Sequence, residues 1–209
     1  MTDWLETIVK ALVYGSALTA VGAVTLRHGL LRLAGHRLSA EVGQAVVHDS
    51  VTCLRWASAG LLVALTLRAW AHTATAFGVA DAFSLENLRI IAVESRWAGG
   101  WHLQVASALA LCLGAVLAAR DSPLAQNVCI PAVLLVCAAL PQTGHPAGHP
   151  WRECLHALHV AAGGAWLGTL LVTVRTVRAA RSALLQAFAP IAMSAVAIVG
   201  LAGMAMSVL

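Results

Sequence analysis

Charged residues are scarce in this chain of 209 residues, and their scarcity argues against a soluble fold. They make up 11% of the sequence, and hydrophobic residues make up 60%, whereas a soluble domain carries about 25% charged residues. The basic residues, almost all arginine, fall in short segments between apolar runs rather than on one polar face, so no nucleic-acid partner is predicted. The composition predicts a protein whose main partner is the lipid bilayer, with room for about six crossings of roughly 20 residues each.

The sequence also lacks paired cysteines, a typical signal peptide and a recognisable catalytic set. No Cys-x-x-Cys pair occurs, and cysteine in an apolar run behaves as a small hydrophobe. The N-terminus is acidic, with Asp3 and Glu6 where a secretory signal peptide needs a positive region, so the first apolar run is predicted to be a retained helix. No nucleophile with an adjacent base stands out, and no enzymatic activity is predicted.

Apolar runs bounded by charges predict the fold class, an all-α polytopic membrane helix bundle in a single transmembrane domain that covers residues 1–209. The runs are predicted to be helices because an open strand cannot satisfy its backbone polar groups in lipid. The predicted spans are residues 5–26, 46–69, 99–119, 124–141, 152–174 and 184–208.

The arginines between these runs predict the orientation. Three such segments carry them, at residues 27–37, at Arg120 and at residues 175–181, and the positive-inside rule places all three in the cytoplasm. The N-terminus, residues 70–98 and residues 142–151 then lie outside. Acidic and apolar residues are interspersed in residues 70–98, which predicts a short amphipathic helix on the outer surface.

Histidines concentrate at the start of the fifth predicted span. Two Gly-His-Pro units place His145 and His149 on a proline-broken loop, and His156 and His159 follow three residues apart, on one face of a helix. Glu153 extends that face by a turn, as a third ligand or as the partner of an imidazole. Because imidazole is a common ligand for borderline and soft metals, the pattern predicts a metal site. In the alternative interpretation, these histidines bind loop carbonyls and only close the bundle.

Three further features surround the cluster. His72 closes the second predicted span and His102 opens the third; each completes the metal site if the bundle brings these spans together, and otherwise each is an interfacial residue. Gly164 and Gly168 form a small-xxx-small pattern, which predicts close packing of the fifth span against another helix.

Three motifs follow one another here: Thr143-Gly144-His145, then Leu155-His156-Ala157-Leu158-His159 after Trp151, then Ala165-Trp166-Leu167-Gly168-Thr169-Leu170-Leu171. In this order they resemble the copper-resistance protein D (CopD) family. The resemblance is specific over about residues 140–205, where the sixth span from Phe188-Ala189-Pro190 resembles the family's next helix, and only architectural over residues 1–139.

The resemblance implies a multi-pass protein of the bacterial inner (cytoplasmic) membrane. Such a protein takes up or transfers copper, as Cu(I) or Cu(II), from the periplasmic side, often beside a periplasmic copper-binding partner of the CopC type. On this interpretation His145 and His149 capture copper, and His156 and His159 hold it within the bundle. Members usually have about eight spans, whereas six are predicted here, so this sequence departs from the family's pattern in length.

Two other functions stay open at this stage. A b-type cytochrome would hold haem b between histidines of facing helices. The candidate axial ligands are His28, His48, His102 and His156. A structural subunit of a larger membrane complex would need no metal at all.

Overall fold

The computed structural model describes residues 3–144 and 147–208 of the chain. Within them every regular element is helical, and six helices are long and apolar enough to cross a bilayer. We call them the first to sixth spans, and their bounds are Trp4–Arg37, Ala40–Phe77, Ala98–Ala119, Ala125–Thr143, Pro150–Arg175 and Arg178–Val208. The structure therefore confirms the prediction of an all-α polytopic bundle with six transmembrane helices.

The first two spans extend beyond the apolar runs that predicted them. The first continues through a π-helical turn, Leu26–Leu30, and short helical turns that end at Arg37. The second covers Ala40–Phe77, and the Ser39 side chain caps its start. Arginine is a good helix former whose long side chain reaches water. A charge can therefore end a hydrophobic run without ending the helix.

The first span lies at the centre of the bundle. It packs along the second span and contacts the fourth and the fifth, and the third span packs between the second and the fourth. The sixth span packs mainly against the fifth, and only 11% of its apolar window is buried. The interior of the bundle is thus built around the first span, and most of the sixth span lies outside it.

The two ends of the bundle carry different connections. The fourth span ends at Thr143 and the fifth begins at Pro150 at one end, which we call the histidine end. The turns after Arg37, Ala119 and Arg175 lie at the other, which we call the arginine end. A short helix, Leu85–Arg89, followed by a π-helical turn lies at the histidine end between the second and third spans, and it confirms the short helix predicted within residues 70–98.

Glycines let the first and fifth spans approach until their backbones touch. A methyl group at Gly168 would overlap the carbonyl oxygen of Leu18, and one at Gly22 would overlap the backbone of Gly168. A methyl group at Gly164 would collide with the side chain of Val21. We call this contact the glycine seam; it confirms the close packing predicted from Gly164 and Gly168.

A π-helical turn, Gly164–Gly168, lies in the fifth span at this seam. One extra residue in a turn rotates the following side chains by about 100° relative to a continuous α-helix. Before the turn the fifth span faces the sixth across one cavity, and after it the span faces the second across another. The seam therefore separates two cavities, one toward each end of the bundle.

Candidate functional site: a histidine pair in the bundle interior

His156 and His159 line one cavity between the first, fifth and sixth spans. Its volume is about 370 Å³, and most of its wall is apolar, with Leu18 and Leu167 among the lining side chains. The Tyr14 hydroxyl is a further polar group on that wall. Two turns of one helix thus present two imidazoles to an apolar space, as their spacing predicted.

The His159 ring is held by the sixth span. Its Nδ1 lies 3.1 Å from the carbonyl oxygen of Val199, and the ring lies beside Gly203 of the same helix. Because a carbonyl oxygen only accepts hydrogen bonds, Nδ1 carries the proton and donates it. In the neutral ring, Nε2 then keeps an unshared lone pair, the form in which imidazole binds a metal.

The His156 ring is held by the first span. Its Nε2 lies 2.9 Å from the hydroxyl oxygen of Tyr14, and the two rings are tilted at 56°. A phenol both donates and accepts. When Nε2–H donates to Tyr14, the Nδ1 of the neutral ring is left with a free lone pair. A metal at His156 would therefore bind through Nδ1 and select this tautomer.

The donor set narrows the chemistry of the cavity. Two neutral nitrogens are offered, and no carboxylate is among the described residues of the lining. Hard cations such as Mg²⁺ and Ca²⁺ prefer several oxygen ligands, whereas imidazole suits copper and zinc. The site fits a soft or borderline ion with few ligands.

Glu153 binds the preceding loop instead of an imidazole. One carboxylate oxygen accepts a hydrogen bond of 2.7 Å from the Gln142 side chain, and the other accepts one of 2.7 Å from the backbone N–H of Gly148. Glu153 lies in the first turn of the helix, where the helix dipole also favours a carboxylate. Glu153 thus fixes the loop to the start of the fifth span.

The predicted capture loop is partly described. His149 is exposed, with extended backbone angles, and it lies immediately before the first residue of the fifth span. It lines a shallow depression with Pro150 and Trp151. His145, the other predicted capture ligand, lies outside the described residues.

The remaining predicted ligands lie elsewhere at the histidine end. His72 stacks on Trp97, with ring centroids 4.7 Å apart, and the exposed His102 contacts Trp101. Neither lines the cavity of the histidine pair. Over residues 3–144 and 147–208, no three His, Cys, Asp or Glu side chains lie close enough together to hold a metal ion. The structure thus brings together two of the predicted ligands, His156 and His159.

The candidate haem ligands divide between the two ends. His28 lies in the π-helical turn of the first span, and His48 lies near the start of the second, both toward the arginine end. His102 and His156 lie toward the histidine end.

Two interior residues were missed by sequence reasoning, although each leaves a signal. Tyr14 is the chain's one tyrosine, in the middle of the first apolar run. Arg68 lies inside the predicted second span, where an ionisable residue indicates a functional site, and only 7% of it is exposed. Its guanidinium donates to Gln104 Oε1 at 3.3 Å and to the Thr143 carbonyl oxygen at 3.4 Å.

Gln104 joins three spans around this arginine. Its amide nitrogen donates to the carbonyl oxygen of Ala139 at 2.9 Å and to the hydroxyl of Thr143 at 2.8 Å, while its oxygen accepts from Arg68. The second, third and fourth spans are therefore linked by polar contacts at the histidine end, next to the last residue of the fourth span.

Comparison of the chain with protein-family models, with curated proteins and with solved structures finds no match. The fold and the site define a class: a six-span helical membrane protein with a fixed pair of histidines in its interior.

Proposed function

We propose that this protein binds copper at the histidine pair and moves it between the histidine end and the bundle interior. The observation that carries the proposal is the arrangement of His156 and His159 on one cavity. Each ring is fixed by a partner on a different helix, at Tyr14 and Val199. Such partners orient imidazoles that bind metals and set their tautomer.

Cu(I) is the form that the cavity suits best. It is satisfied by a few nitrogen or sulphur donors, and the His156 Nδ1 and His159 Nε2 supply two neutral nitrogens. The apolar wall gives little solvation to an ion with a larger charge. Copper is the cargo here, so the pair binds it reversibly.

His149 is the proposed entry ligand, together with His145. It lies seven residues before His156, about 10 Å along the helix axis. This distance is two turns, so both residues lie on nearly the same side of the span. Glu153 holds Gln142 and Gly148 next to the start of the fifth span through its two hydrogen bonds.

The resemblance to the CopD family supports the cellular setting that we propose. The protein would lie in a bacterial inner membrane with its N-terminus and histidine end facing the periplasm, as the arginine distribution favours. A periplasmic copper-binding partner of the CopC type would then deliver copper to His149.

Copper binding can be tested on protein purified in detergent under reducing conditions. A chromophoric Cu(I) chelator competes for the metal, and the dissociation constant is measured for the wild type and for the double variant His156→Ala, His159→Ala. The matched control is His36→Ala, an exposed histidine at the arginine end. We expect stoichiometric copper in the wild type and the control, and none in the double variant.

Two results would contradict the proposal. If the wild type and the double variant bind equal amounts of copper, the copper site lies elsewhere in the protein. If the wild type binds no copper, copper is not the cargo. An absorption spectrum of the same samples tests the cytochrome alternative, because bound haem gives an intense Soret band and the copper proposal predicts none.

A further inference from the structure

A groove opens at the arginine end, on the other side of the glycine seam from the histidine pair. It holds a cavity of about 530 Å³ between the first, second and fifth spans, and Asp49, Arg175 and Trp56 line it. Thr52 and Trp56 also line a neighbouring depression that carries Arg55. We call these adjoining spaces the arginine-end groove.

The three charged side chains of this groove are unpaired. Asp49, Arg55 and Arg175 form neither an ion pair nor a side-chain hydrogen bond with any residue that the structure describes. Both arginines are exposed and Asp49 is partly exposed. Next to them the wall is apolar, with Ala57, Leu171 and Val172. The groove thus combines positive and negative side chains with an apolar wall in which Leu171 is exposed and Ala57 and Val172 are buried.

The groove lies where phospholipid headgroups begin. The second span has 38 residues, about 57 Å of helix, which exceeds a hydrocarbon core of about 30 Å. Arg55 lines a neighbouring cavity together with Ala119, the last residue of the third span, so Arg55 lies near the level at which that span ends. Asp49 lies about 9 Å further out, and Trp56, with 77% of its surface exposed, occupies the interfacial position that tryptophan favours.

We propose that the arginine-end groove binds one phospholipid whose headgroup carries a primary ammonium beside its phosphate, as in a phosphatidylethanolamine. Arg175 and Arg55 bind the phosphate, because guanidinium groups match its oxygens. Asp49 accepts hydrogen bonds from the ammonium. The apolar wall beside Trp56 contacts the first carbons of an acyl chain.

Asp49 is the group that gives selectivity among lipids. A phosphatidylglycerol offers the phosphate and neutral hydroxyl donors but no cation, so the carboxylate gains a hydrogen bond without an ion pair. A phosphatidylcholine offers a cation without N–H groups, which cannot donate to the carboxylate. Of these three headgroups, ethanolamine alone gives Asp49 a charged hydrogen-bond donor while its phosphate meets the arginines.

Native mass spectrometry of the detergent-purified protein measures this directly. The protein is titrated separately with palmitoyl-oleoyl phosphatidylethanolamine, phosphatidylcholine and phosphatidylglycerol, and the first dissociation constant is compared. We expect the ethanolamine lipid to bind about tenfold more tightly than the other two, the factor that one hydrogen bond to a charged group supplies.

Substitutions separate the parts of the site. Arg175→Ala should weaken the binding of all three lipids about tenfold, and Arg55→Ala should also weaken their binding. Asp49→Asn should remove only the preference for the ethanolamine lipid. The matched control is Arg178→Ala, an exposed arginine at the same end that does not line the groove. Because none of these side chains has a partner to lose, the variants should fold, which their melting temperatures check.

Two outcomes would overturn the proposal. If the wild type binds the three lipids equally, no ammonium site exists. If Arg175→Ala and Arg178→Ala bind lipid like the wild type, the groove holds only the unselective lipids that surround any span.

Discussion

Substituting alanine for Gly168 adds one methyl group at the point where the first and fifth spans lie closest. The methyl group would overlap the carbonyl oxygen of Leu18 and lie 3.1 Å from the backbone nitrogen of Gly22. Both are backbone atoms, which cannot rotate away as a side chain would, so the two helices must separate. We expect a less stable bundle and a weaker contact between Tyr14 and His156, which these two spans carry.

The size of the effect follows from two opposing contributions. Forcing an extra methyl group into a packed interface costs about 1–3 kcal/mol, while alanine is favoured over glycine in a helix by about 1 kcal/mol. Gly163→Ala isolates the second contribution. Its methyl group meets only the Leu18 side chain, at an ordinary contact distance of 3.6 Å. The two variants should therefore differ in free energy of unfolding by about 1–3 kcal/mol.

Reversible unfolding of the protein in mixed micelles, followed by helical circular dichroism, measures this difference. The same comparison can be made from the first span. Gly22→Ala meets the backbone of Gly168, while Gly15→Ala has no atom within 4 Å. If Gly168→Ala unfolds at the same denaturant concentration as Gly163→Ala, the seam is not a backbone contact, and the account of how the histidine pair is positioned fails.

Two other substitutions test the interior contacts. Tyr14→Phe removes the hydroxyl that fixes the tautomer of His156, so the copper dissociation constant should rise about 10–100-fold in the chelator competition; an unchanged constant would show that the phenol does not orient the ring. Gln104→Leu leaves Arg68 without one of its partners and should lower the free energy of unfolding by about 1.5–3 kcal/mol. Gln126→Leu, which loses one exposed hydrogen bond, is the control, and an equal loss in both would contradict a structural role for the buried network.

The six spans were predictable because hydrophobic length alone decides whether a helix can cross a bilayer. The close approach at Gly164 and Gly168 was predictable for a similar reason, since small residues four apart form a flat helix surface. The sequence did not predict that the first span supplies the opposing surface. Gly22 is not part of a small-xxx-small pattern, so the sequence does not indicate its contact with Gly168. Hydropathy also does not predict the π-helical turn between Gly164 and Gly168.

The candidate site was predictable only in part, because helical periodicity relates side chains of one helix and gives no contacts between helices. It placed His156 and His159 together correctly, yet it also placed Glu153 on their face. The carboxylate of Glu153 instead accepts hydrogen bonds from the side chain of Gln142 and from the backbone N–H of Gly148. The contact of His156 with Tyr14 joins residues 142 positions apart, and no local pattern contains it. The resemblance to the CopD family stays a prediction that the copper measurement addresses.

The hydrogen bonds of the histidine pair account for one nitrogen of each ring. A histidine that only closes a bundle needs partners for its polar atoms, because unsatisfied groups in an apolar interior cost free energy. His159 has one such partner at Nδ1 and His156 has one at Nε2. In each neutral ring the other nitrogen carries a lone pair in the metal-binding tautomer, and the two rings border a cavity of about 370 Å³ instead of tightly packed side chains. Removal of both imidazoles should therefore abolish copper binding, while the contacts of the glycine seam persist and hold the first and fifth spans together.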